Sequence, residues 1–166
     1  MTTQPPGEEV SFVSGGAELL GQIGSLWTQL RDFHARVPGP FSDQIAARTF
    51  DDRTAIWRRR AEQHGEELLV DLAWAEDQLV GYCVTTIDAS GSKGMIDSLF
   101  VVESQRGRGI GDRLMRRAIQ WLDDNDVSER SVEVLVGNER ALKFYARFGF
   151  APRTIVMRQI DPKAHG

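Results

Sequence analysis

The sequence is poor in the residues that build disulfides and metal sites. Its 166 residues include one cysteine, Cys83, and three histidines. A single cysteine cannot form an intramolecular disulfide or supply the thiolate set of a structural zinc site. His34 and His64 lie at the ends of predicted helices and His165 lies near the C-terminus, a spacing that does not suit metal ligands. We therefore expect no metal. We interpret Cys83 as a small core residue of an apolar strand, with an acyl-carrying nucleophile as the alternative.

Long apolar runs and an excess of basic charge are also absent. No run approaches the roughly 20 apolar residues that span a bilayer, and the start MTTQPPGEEV lacks the pattern of a secretory signal. Twenty basic residues stand against twenty-four acidic ones, which argues against general binding to nucleic acid or anionic membranes. The length suits one domain. We expect a single cytoplasmic domain over residues 1–166, with residues 1–9 as a flexible tail.

Hydrophobic periodicity predicts the order of helices and strands. Apolar residues three and four apart predict an amphipathic helix from Ala17 to Ala35, and a second helical stretch, in one or two pieces, ends at His64. Leu68–Ala75 and Gln78–Ile87 predict an antiparallel hairpin. The other predicted elements are strands at Val10–Val13, Met95–Val102, Ser131–Val136 and Thr154–Ile160, and helices at Gly109–Asn125 and Glu139–Arg147. This order predicts an α/β domain of the α+β type, with a mixed sheet flanked by helices.

The segment QRGRGIG, residues 105–111, is the most informative part of the chain because it joins a predicted strand to a predicted helix. Gly107, Gly109 and Gly111 allow consecutive N–H groups to turn toward one point. The helix that follows begins with partial positive charge, which suits an anion. Residues 106–117 carry five arginines and one acid in an otherwise acidic protein. The pattern therefore predicts a site for a phosphate-bearing ligand.

Glycine-rich segments of this kind have three other interpretations. A glycine-rich turn followed by a solvated, arginine-rich helix face is the simplest one. A P-loop is excluded because the Gly-Lys-Ser/Thr that it needs is missing. A dinucleotide-binding Rossmann fold is excluded because the glycines follow a predicted antiparallel hairpin, whereas that fold places them early in a βαβ series.

Two motifs in this half of the chain resemble those of the GNAT superfamily of N-acetyltransferases. Residues 106–111, RGRGIG, are similar to its acyl-CoA signature Arg/Gln-x-x-Gly-x-Gly/Ala. VEVLVGNERALKFYARFGF, residues 132–150, is similar to the family's strand, its Asn-x-x-Ala-x-x-Phe-Tyr helix and its closing Gly-Phe. The resemblance covers residues 97–150 and implies a GNAT-like domain whose sheet is mostly antiparallel. The two central strands of that sheet, here 95–102 and 131–136, splay apart after a bulge.

The resemblance also implies residues that bind acetyl-CoA. The strand residues Leu99, Phe100 and Val101 match those whose backbone pairs with the pantetheine arm. Asn138 is the predicted N-cap of the helix at Glu139–Arg147. It also matches a residue that bonds the same arm. The pyrophosphate loop corresponds to Gly107, Gly109, Ile110, Gly111 and Asp112, with Arg106 and Arg108 alongside. Pro152 lies only eight residues before Ile160, so the closing strands are shorter than the hairpin common in the family.

For catalysis, the resemblance implies that Tyr145 is the general acid for the departing thiolate and that it contacts the cofactor. An amphipathic-helix aromatic is the alternative role. The backbone N–H of Val101 would polarise the thioester carbonyl. The base is left open among Glu133, Asp97 and an ordered water, because either carboxylate also suits an exposed strand position.

The expected function is transfer of an acetyl group from acetyl-CoA to a primary amine, by direct transfer in a ternary complex. A small-molecule acceptor is favoured, and a protein N-terminus or lysine is an alternative. A non-catalytic acyl-CoA-binding regulator is the competing interpretation from another class. The sequence also allows a homodimer.

Overall fold

The computed structural model describes residues 9–160, so residues 1–8 of the predicted tail lie outside the described residues. The strands are β1 (Val10–Gly15), β2 (Glu67–Ala75), β3 (Gln78–Ile87), β4 (Lys93–Val101) and β5 (Glu129–Val132). The α-helices are α1 (Gly24–Arg36), α2 (Ser42–Ala46), α3 (Phe50–His64), α4 (Ile110–Asp124) and α5 (Glu139–Ala146). The first predicted helix begins as a 3-10 helix at Ala17–Ile23, and the second stretch is in two pieces.

The strands form one mixed sheet in the order β1-β2-β3-β4-β5. The first three pairings are antiparallel and the last, between β4 and β5, is parallel. α4 connects the two parallel strands, as a parallel connection requires a crossover. The predicted fold class is therefore confirmed.

Helices cover both faces of this sheet because both faces are apolar. On one face, Leu114, Ala118 and Leu122 of α4 lie in a buried cluster with strand residues such as Cys83. On the other face, Trp27 of α1 belongs to a second buried cluster. Between residues 9 and 160, no helix has both the length and the apolar character needed to cross a membrane.

A bulge in β4 separates β4 from β5. Val84 of β3 lies opposite Ser98, and Thr85 lies opposite Ile96, so Asp97 is the extra residue. Beyond this point β5 no longer follows β4, and their pairing ends at Ile96. The predicted splay between the two strands is present, and it leaves one edge of residues 98–101 open.

Two predicted strands differ in the structure. The sequence predicts a strand at Ser131–Val136. In the structure β5 ends at Val132, because β4 diverges there and residues 133–136 have no neighbouring strand. Residues 151–160 form no strand at all, so the predicted Thr154–Ile160 strand is wrong for this single chain. Their side chains are all exposed. Their residue types suit a strand, but a strand needs an edge to pair with.

Candidate active site

One cavity of about 510 Å³ collects most of the predicted site residues between the open edge of β4, the start of α4 and the helix α5. The predicted residues that line it are Leu99, Phe100, Val101, Arg106, Gly107, Gly109, Ile110, Gly111, Asp112, Asn138 and Tyr145. Arg108, Asp97 and Glu133 do not line it.

The open edge of β4 offers main-chain groups to this cavity. The N–H of Val102 donates to the carbonyl of Val80 in β3, at 2.9 Å. Because hydrogen-bonding direction alternates along a strand, Leu99 and Val101 direct their main-chain groups away from β3, toward the gap. No strand pairs with this side of residues 98–101 within residues 9–160. An extended ligand with amide groups can therefore pair with β4 as a further strand would.

The turn before α4 is shaped by two glycines. Gly107 and Gly109 have φ values of 78° and 75°, a region that residues with a Cβ rarely adopt. A Cβ built at either position would meet no atom within 4 Å. Glycine is therefore required at both positions by the backbone conformation of the turn, and the space where each Cβ would stand is open.

The start of α4 adds unpaired donors beside this turn. Gly109 is the N-cap, and its carbonyl accepts from the N–H of Arg113 at 3.0 Å. The N–H groups of the first helical residues, Ile110, Gly111 and Asp112, have no intrahelical acceptor. They lie at the positive end of a 15-residue helix. This geometry suits a phosphate group, as the sequence predicts.

Arg106 and Arg140 both line the cavity. Arg106 donates from Nε to the carbonyl of Val101 at 2.9 Å, and its guanidinium lies 5.4 Å from the centre of the Phe100 ring. Burial, and then the nearby charge of Arg140, lower the pKa of Arg106. An arginine nevertheless stays protonated at neutral pH. Both side chains line the cavity, so an anion placed there would be attracted by both.

Other charged groups lie at the edge of the same cavity. Asp112, in the first turn of α4, forms an ion pair with Arg147, the residue that follows α5, so the start of α4 is linked to the end of α5. Arg108 is exposed and donates to the side chain of Gln105. The geometry therefore supports the predicted contact with the pyrophosphate less for Arg108 than for Arg106.

Asn138 is buried and has two roles in the structure. Its Oδ1 accepts from the N–H of Ala141 at 3.2 Å, so it is the N-cap of α5, as predicted. That bond uses the oxygen, so the side-chain NH₂ is the group available to a ligand in the cavity.

Tyr145 lies in a cluster of aromatic rings at the same cavity. Its ring centre is 5.2 Å from that of Phe144 and 6.2 Å from that of Phe150, both with edge-on geometry. Burial raises the pKa of the hydroxyl well above its ordinary value, with a smaller contribution from Cys83. The hydroxyl therefore remains protonated at neutral pH and is a hydrogen-bond donor.

The two carboxylates that the sequence offers as bases have different surroundings. The side chain of Asp97, the bulge residue, is only 4% exposed and forms ion pairs with Arg53 and with Arg60, the latter at 2.9 Å. Thr86 donates a further hydrogen bond to it at 3.3 Å. Glu133 is exposed, just after β5, and forms no ion pair with any residue of 9–160. The structure thus places Asp97 in a salt-bridge network and leaves Glu133 available.

Cys83 lies in the apolar layer beneath α4 rather than in the cavity. Burial raises the pKa of its thiol to about 12, so the thiolate form is rare at neutral pH. This geometry favours the core role. Among the described residues, no group of three histidine, cysteine or acidic side chains is arranged to hold a metal ion.

Several cavity residues were not predicted from the sequence. Leu30 and Phe33 come from α1, more than 70 residues before the glycine turn. The others are Gln105, Arg140, Ala141, Phe144 and Arg147. Arg140 and Phe144 of α5 and Arg147, its C-cap, recur at helical spacing beside Tyr145, a signal that would have placed them on the same face. Nothing local to α1 marks Leu30 or Phe33 as ligand-facing.

Comparison with known proteins agrees with this geometry. The Acetyltransferase (GNAT) family profile matches residues 27–150, about three quarters of the chain. The chain belongs to the GNAT family.

Among curated proteins, the chain is 34% identical over 82 residues to a mycothiol acetyltransferase from Acidimicrobium ferrooxidans, covering 48% of this chain and 26% of that protein. It is 37% identical over 76 residues to N-alpha-acetyltransferase MAK3 from Arabidopsis thaliana, covering 42% of this chain and 40% of that protein. The chain therefore spans less than half the length of these relatives.

Among solved structures, it is similar to the aminoglycoside N-acetyltransferase AAC(6')-Iy in complex with CoA, with a TM-score of 0.60 and 20% identity. That match covers 95% of this chain and 99% of the other, and it supports the fold.

Proposed function

We propose that the protein transfers the acetyl group of acetyl-CoA to a primary amine, directly, in a ternary complex. The observation that carries this proposal is that the open edge of β4 and the glycine turn before α4 meet in one cavity that also contains Tyr145. The strand edge suits an amide-bearing arm, and the turn suits the phosphates at the end of that arm. The CoA complex of a protein with the same fold supports this choice of ligand.

The binding roles divide between backbone and side chains. Main-chain groups of Leu99, and the lone pair of the Val101 carbonyl that Arg106 leaves open, would bond the pantetheine amides. N–H groups of residues 109–112 would bond the pyrophosphate, with Arg106 and Arg140 neutralising its charge. The side-chain NH₂ of Asn138 would donate to an oxygen of the arm.

The reaction requires a C–N bond to form and the C–S bond to break. The amine nitrogen attacks the thioester carbonyl carbon and the sulfur leaves with the bonding electrons as thiolate. The N–H of Val101 would donate to the carbonyl oxygen as negative charge develops there. The amine proton passes to a base or to water.

Tyr145 would donate a hydrogen bond to the leaving sulfur. Because burial raises the pKa of this phenol, it is a weaker acid than a thiol, whose reference pKa is about 8.5. Full proton transfer to the thiolate is then unfavourable. A donated hydrogen bond that strengthens as charge develops on sulfur is the role that suits this phenol.

Glu133 is the residue we favour as base, directly or through water. Both oxygens of the Asp97 carboxylate are occupied by Arg53, Arg60 and Thr86, so accepting a proton would break charged hydrogen bonds. Glu133 carries no such restriction.

The acceptor is a primary amine, and the lining of the cavity does not favour one class of amine over another. The sequence favours a small molecule. The relative named N-alpha-acetyltransferase MAK3 supports a second candidate, the α-amino group of a peptide.

The test is CoA thiol release from acetyl-CoA with a panel of polyamines, amino acids, aminoglycosides and peptides with free or blocked α-amino groups. We expect release that depends on a free amine. Binding of acetyl-CoA without turnover on any amine would favour the non-catalytic regulator instead, and failure to bind would refute both.

A further inference from the structure

Asp97 and Ser98, the two residues at the bulge in β4, direct their side chains to the same face of the sheet. Ser98 shares a hydrogen bond of 2.8 Å with the hydroxyl of the buried Tyr82, which belongs to the second buried cluster, on the α1 face. Asp97 contacts Arg53 and Arg60, both on α3. Side chains of successive strand residues normally alternate between the two faces. The bulge therefore interrupts this alternation at one position.

This interruption decides which residues beyond the bulge face the helix α4. Ile96, before the bulge, belongs to the cluster beneath α4. Beyond the bulge, Leu99 packs against that cluster and Val101 belongs to it, whereas Phe100 belongs to the opposite cluster. With regular alternation from Ile96, both Leu99 and Val101 would lie on the α1 face. The bulge therefore sets the register of the open edge to which we assign the pantetheine arm.

Two arginines of α3 hold the bulge residue. Arg53 donates to Oδ1 of Asp97, and the same nitrogen lies 3.5 Å from the main-chain carbonyl of that residue. Arg60 donates to Oδ2 of the same carboxylate at 2.9 Å. The two arginines are seven residues apart, which is about two turns of helix, so they lie on one face of α3. One helix face therefore contacts both oxygens of the carboxylate and reaches the backbone of the bulge.

The charges of this cluster balance. Arg60 also pairs with Glu66, at 2.8 Å, so two arginines contact two carboxylates. Removing the Asp97 carboxylate from water has a free-energy cost that its partners only roughly offset, and apolar residues of similar volume would stabilise the fold about as well. Charged hydrogen bonds, however, are directional and fix the position of the groups that they join. The cluster therefore contributes more to the geometry of the bulge than to the stability of the fold.

Arg53 is itself fixed in position. Its guanidinium lies 4.5 Å from the centre of the Trp57 ring, and Trp57 is almost fully buried. Residues four apart on a helix are neighbours on its surface, so the ring restricts the orientation of the guanidinium. The position of α3 is thereby transmitted to Asp97. By contrast, Arg58 and Arg59 of the same helix are exposed.

We propose that Arg53 and Arg60 are positioning residues for acetyl-CoA, which hold the bulge at Asp97 and thereby keep residues 98–101 in the register that the pantetheine arm requires. This inference rests on the proposed function, because it assigns the arm to that edge. Neither arginine lines the cavity, so both act through Asp97 and not on the cofactor. Loss of the α3 contact should therefore weaken binding of the arm, but not of the nucleotide half of CoA, which meets the glycine turn.

The first test measures the binding of two ligands to Arg53→Ala by calorimetry. The Kd of acetyl-CoA should rise by at least about 10-fold, as for the loss of one or more hydrogen bonds, and that of adenosine 3′-phosphate 5′-diphosphate, which lacks the arm, should stay within about two-fold. Arg53→Lys, which keeps the charge, should recover most of the affinity for acetyl-CoA. Arg59→Ala is the matched control on the same helix and should change neither Kd.

Equal losses for the two ligands, or no loss for either, would refute the positioning role, because lower stability alone does not distinguish the ligands. Arg60 still pairs with Asp97 in Arg53→Ala, so we expect this variant to fold. If circular dichroism shows that it does not, Arg53→Gln, which keeps a donor and much of the side-chain volume, takes its place with the same expected result.

The second test, amide hydrogen exchange without any ligand, does not depend on acetyl-CoA. Arg53→Ala should speed exchange in β4 and in its partner β3, where the bulge interrupts the pairing, and leave β1 and α4 unchanged. Faster exchange throughout the chain, or in α3 alone, would refute the inference. A wild-type protein that does not bind acetyl-CoA would refute the proposed function, and the exchange result would still decide whether α3 holds the bulge.

Discussion

Arg106 donates from Nε to the main-chain carbonyl of Val101, across 2.9 Å. The bond connects the glycine turn to the open edge of β4, which are the two halves of the proposed acetyl-CoA site. The guanidinium also lies over the Phe100 ring, at 5.4 Å from its centre. Arg106 therefore fixes the position of the turn relative to the strand, besides carrying charge into the cavity.

Arg106→Ala should weaken CoA binding by about 10- to 100-fold, the equivalent of one charge-assisted hydrogen bond. Calorimetry with CoA and dephospho-CoA would measure it, and a smaller loss with dephospho-CoA would show that Arg106 also contacts the 3′-phosphate. Added salt should weaken wild-type binding. Arg116→Ala is the control, because Arg116 lies on α4 outside the cavity. Equal losses in both variants would contradict a local role for Arg106.

Gly109→Glu should abolish the stabilisation that CoA gives to the folded protein. The substitution puts a side chain at a φ of 75° and adds a negative charge beside the expected pyrophosphate. Wild-type protein should gain about 2.7 kcal/mol at a CoA concentration of 100 times Kd, measured as a shift in Tm. Gly39→Glu, whose added Cβ also meets open space, should keep the full shift. An unchanged shift in a folded Gly109→Glu variant would remove the cofactor assignment.

Tyr145→Phe removes one hydroxyl and retains the ring that packs on Phe144 and Phe150. We expect turnover to fall by about 10²–10³-fold, as for other donors to developing negative charge. The change should appear in kcat, with little change in the Kd of acetyl-CoA. Because the pKa of Tyr145 is raised, the wild-type rate should not decline from ionisation of this group at any pH below about 10. Nearly normal turnover would mean that the thiolate leaves without this donor.

Cys83→Ala should leave kcat within a few-fold of wild type. The thiol is buried and its pKa is raised to about 12, so a covalent acetyl-cysteine is not expected. The variant should lose about 1 kcal/mol of stability, because it removes a buried group from a packed layer. Mass spectrometry of the wild type during turnover should find no acetylated Cys83, and an acetylated thiol would replace direct transfer with a two-step reaction.

Asp97→Asn and Glu133→Gln should separate a structural carboxylate from a catalytic one. Losing the charge at Asp97 leaves Arg53 and Arg60 without their buried partner, and breaking such a pair has an effect of about 3–5 kcal/mol. The Tm should therefore fall in the Asp97→Asn variant only. Glu133→Gln should retain its Tm and lose turnover, most strongly at pH values where the acceptor amine is protonated. The reverse pattern would identify Asp97 as the base.

Local patterns account for the parts of the protein that the sequence predicted. Leu114, Ala118 and Leu122 recur every four residues because one face of α4 packs on the sheet. The glycines at 107 and 109 are required by the backbone of the turn itself. Asn138 caps α5 through a bond to a residue three positions away. Each of these features depends on neighbours within one or two turns of chain.

The tertiary structure decided what depends on residues distant in sequence. From the sequence alone, Asp97 suits an exposed strand position. In the structure α3 brings Arg53 and Arg60 to it, from 44 and 37 residues away. Leu30 and Phe33 become cavity residues only when α1 packs beside β4. The sequence of residues 154–160 suits a strand, but these residues pair with none of the strands β1–β5, so they do not form one here. Helical spacing and turn glycines act locally, whereas strand pairing and charge partners depend on which distant segments the fold brings together.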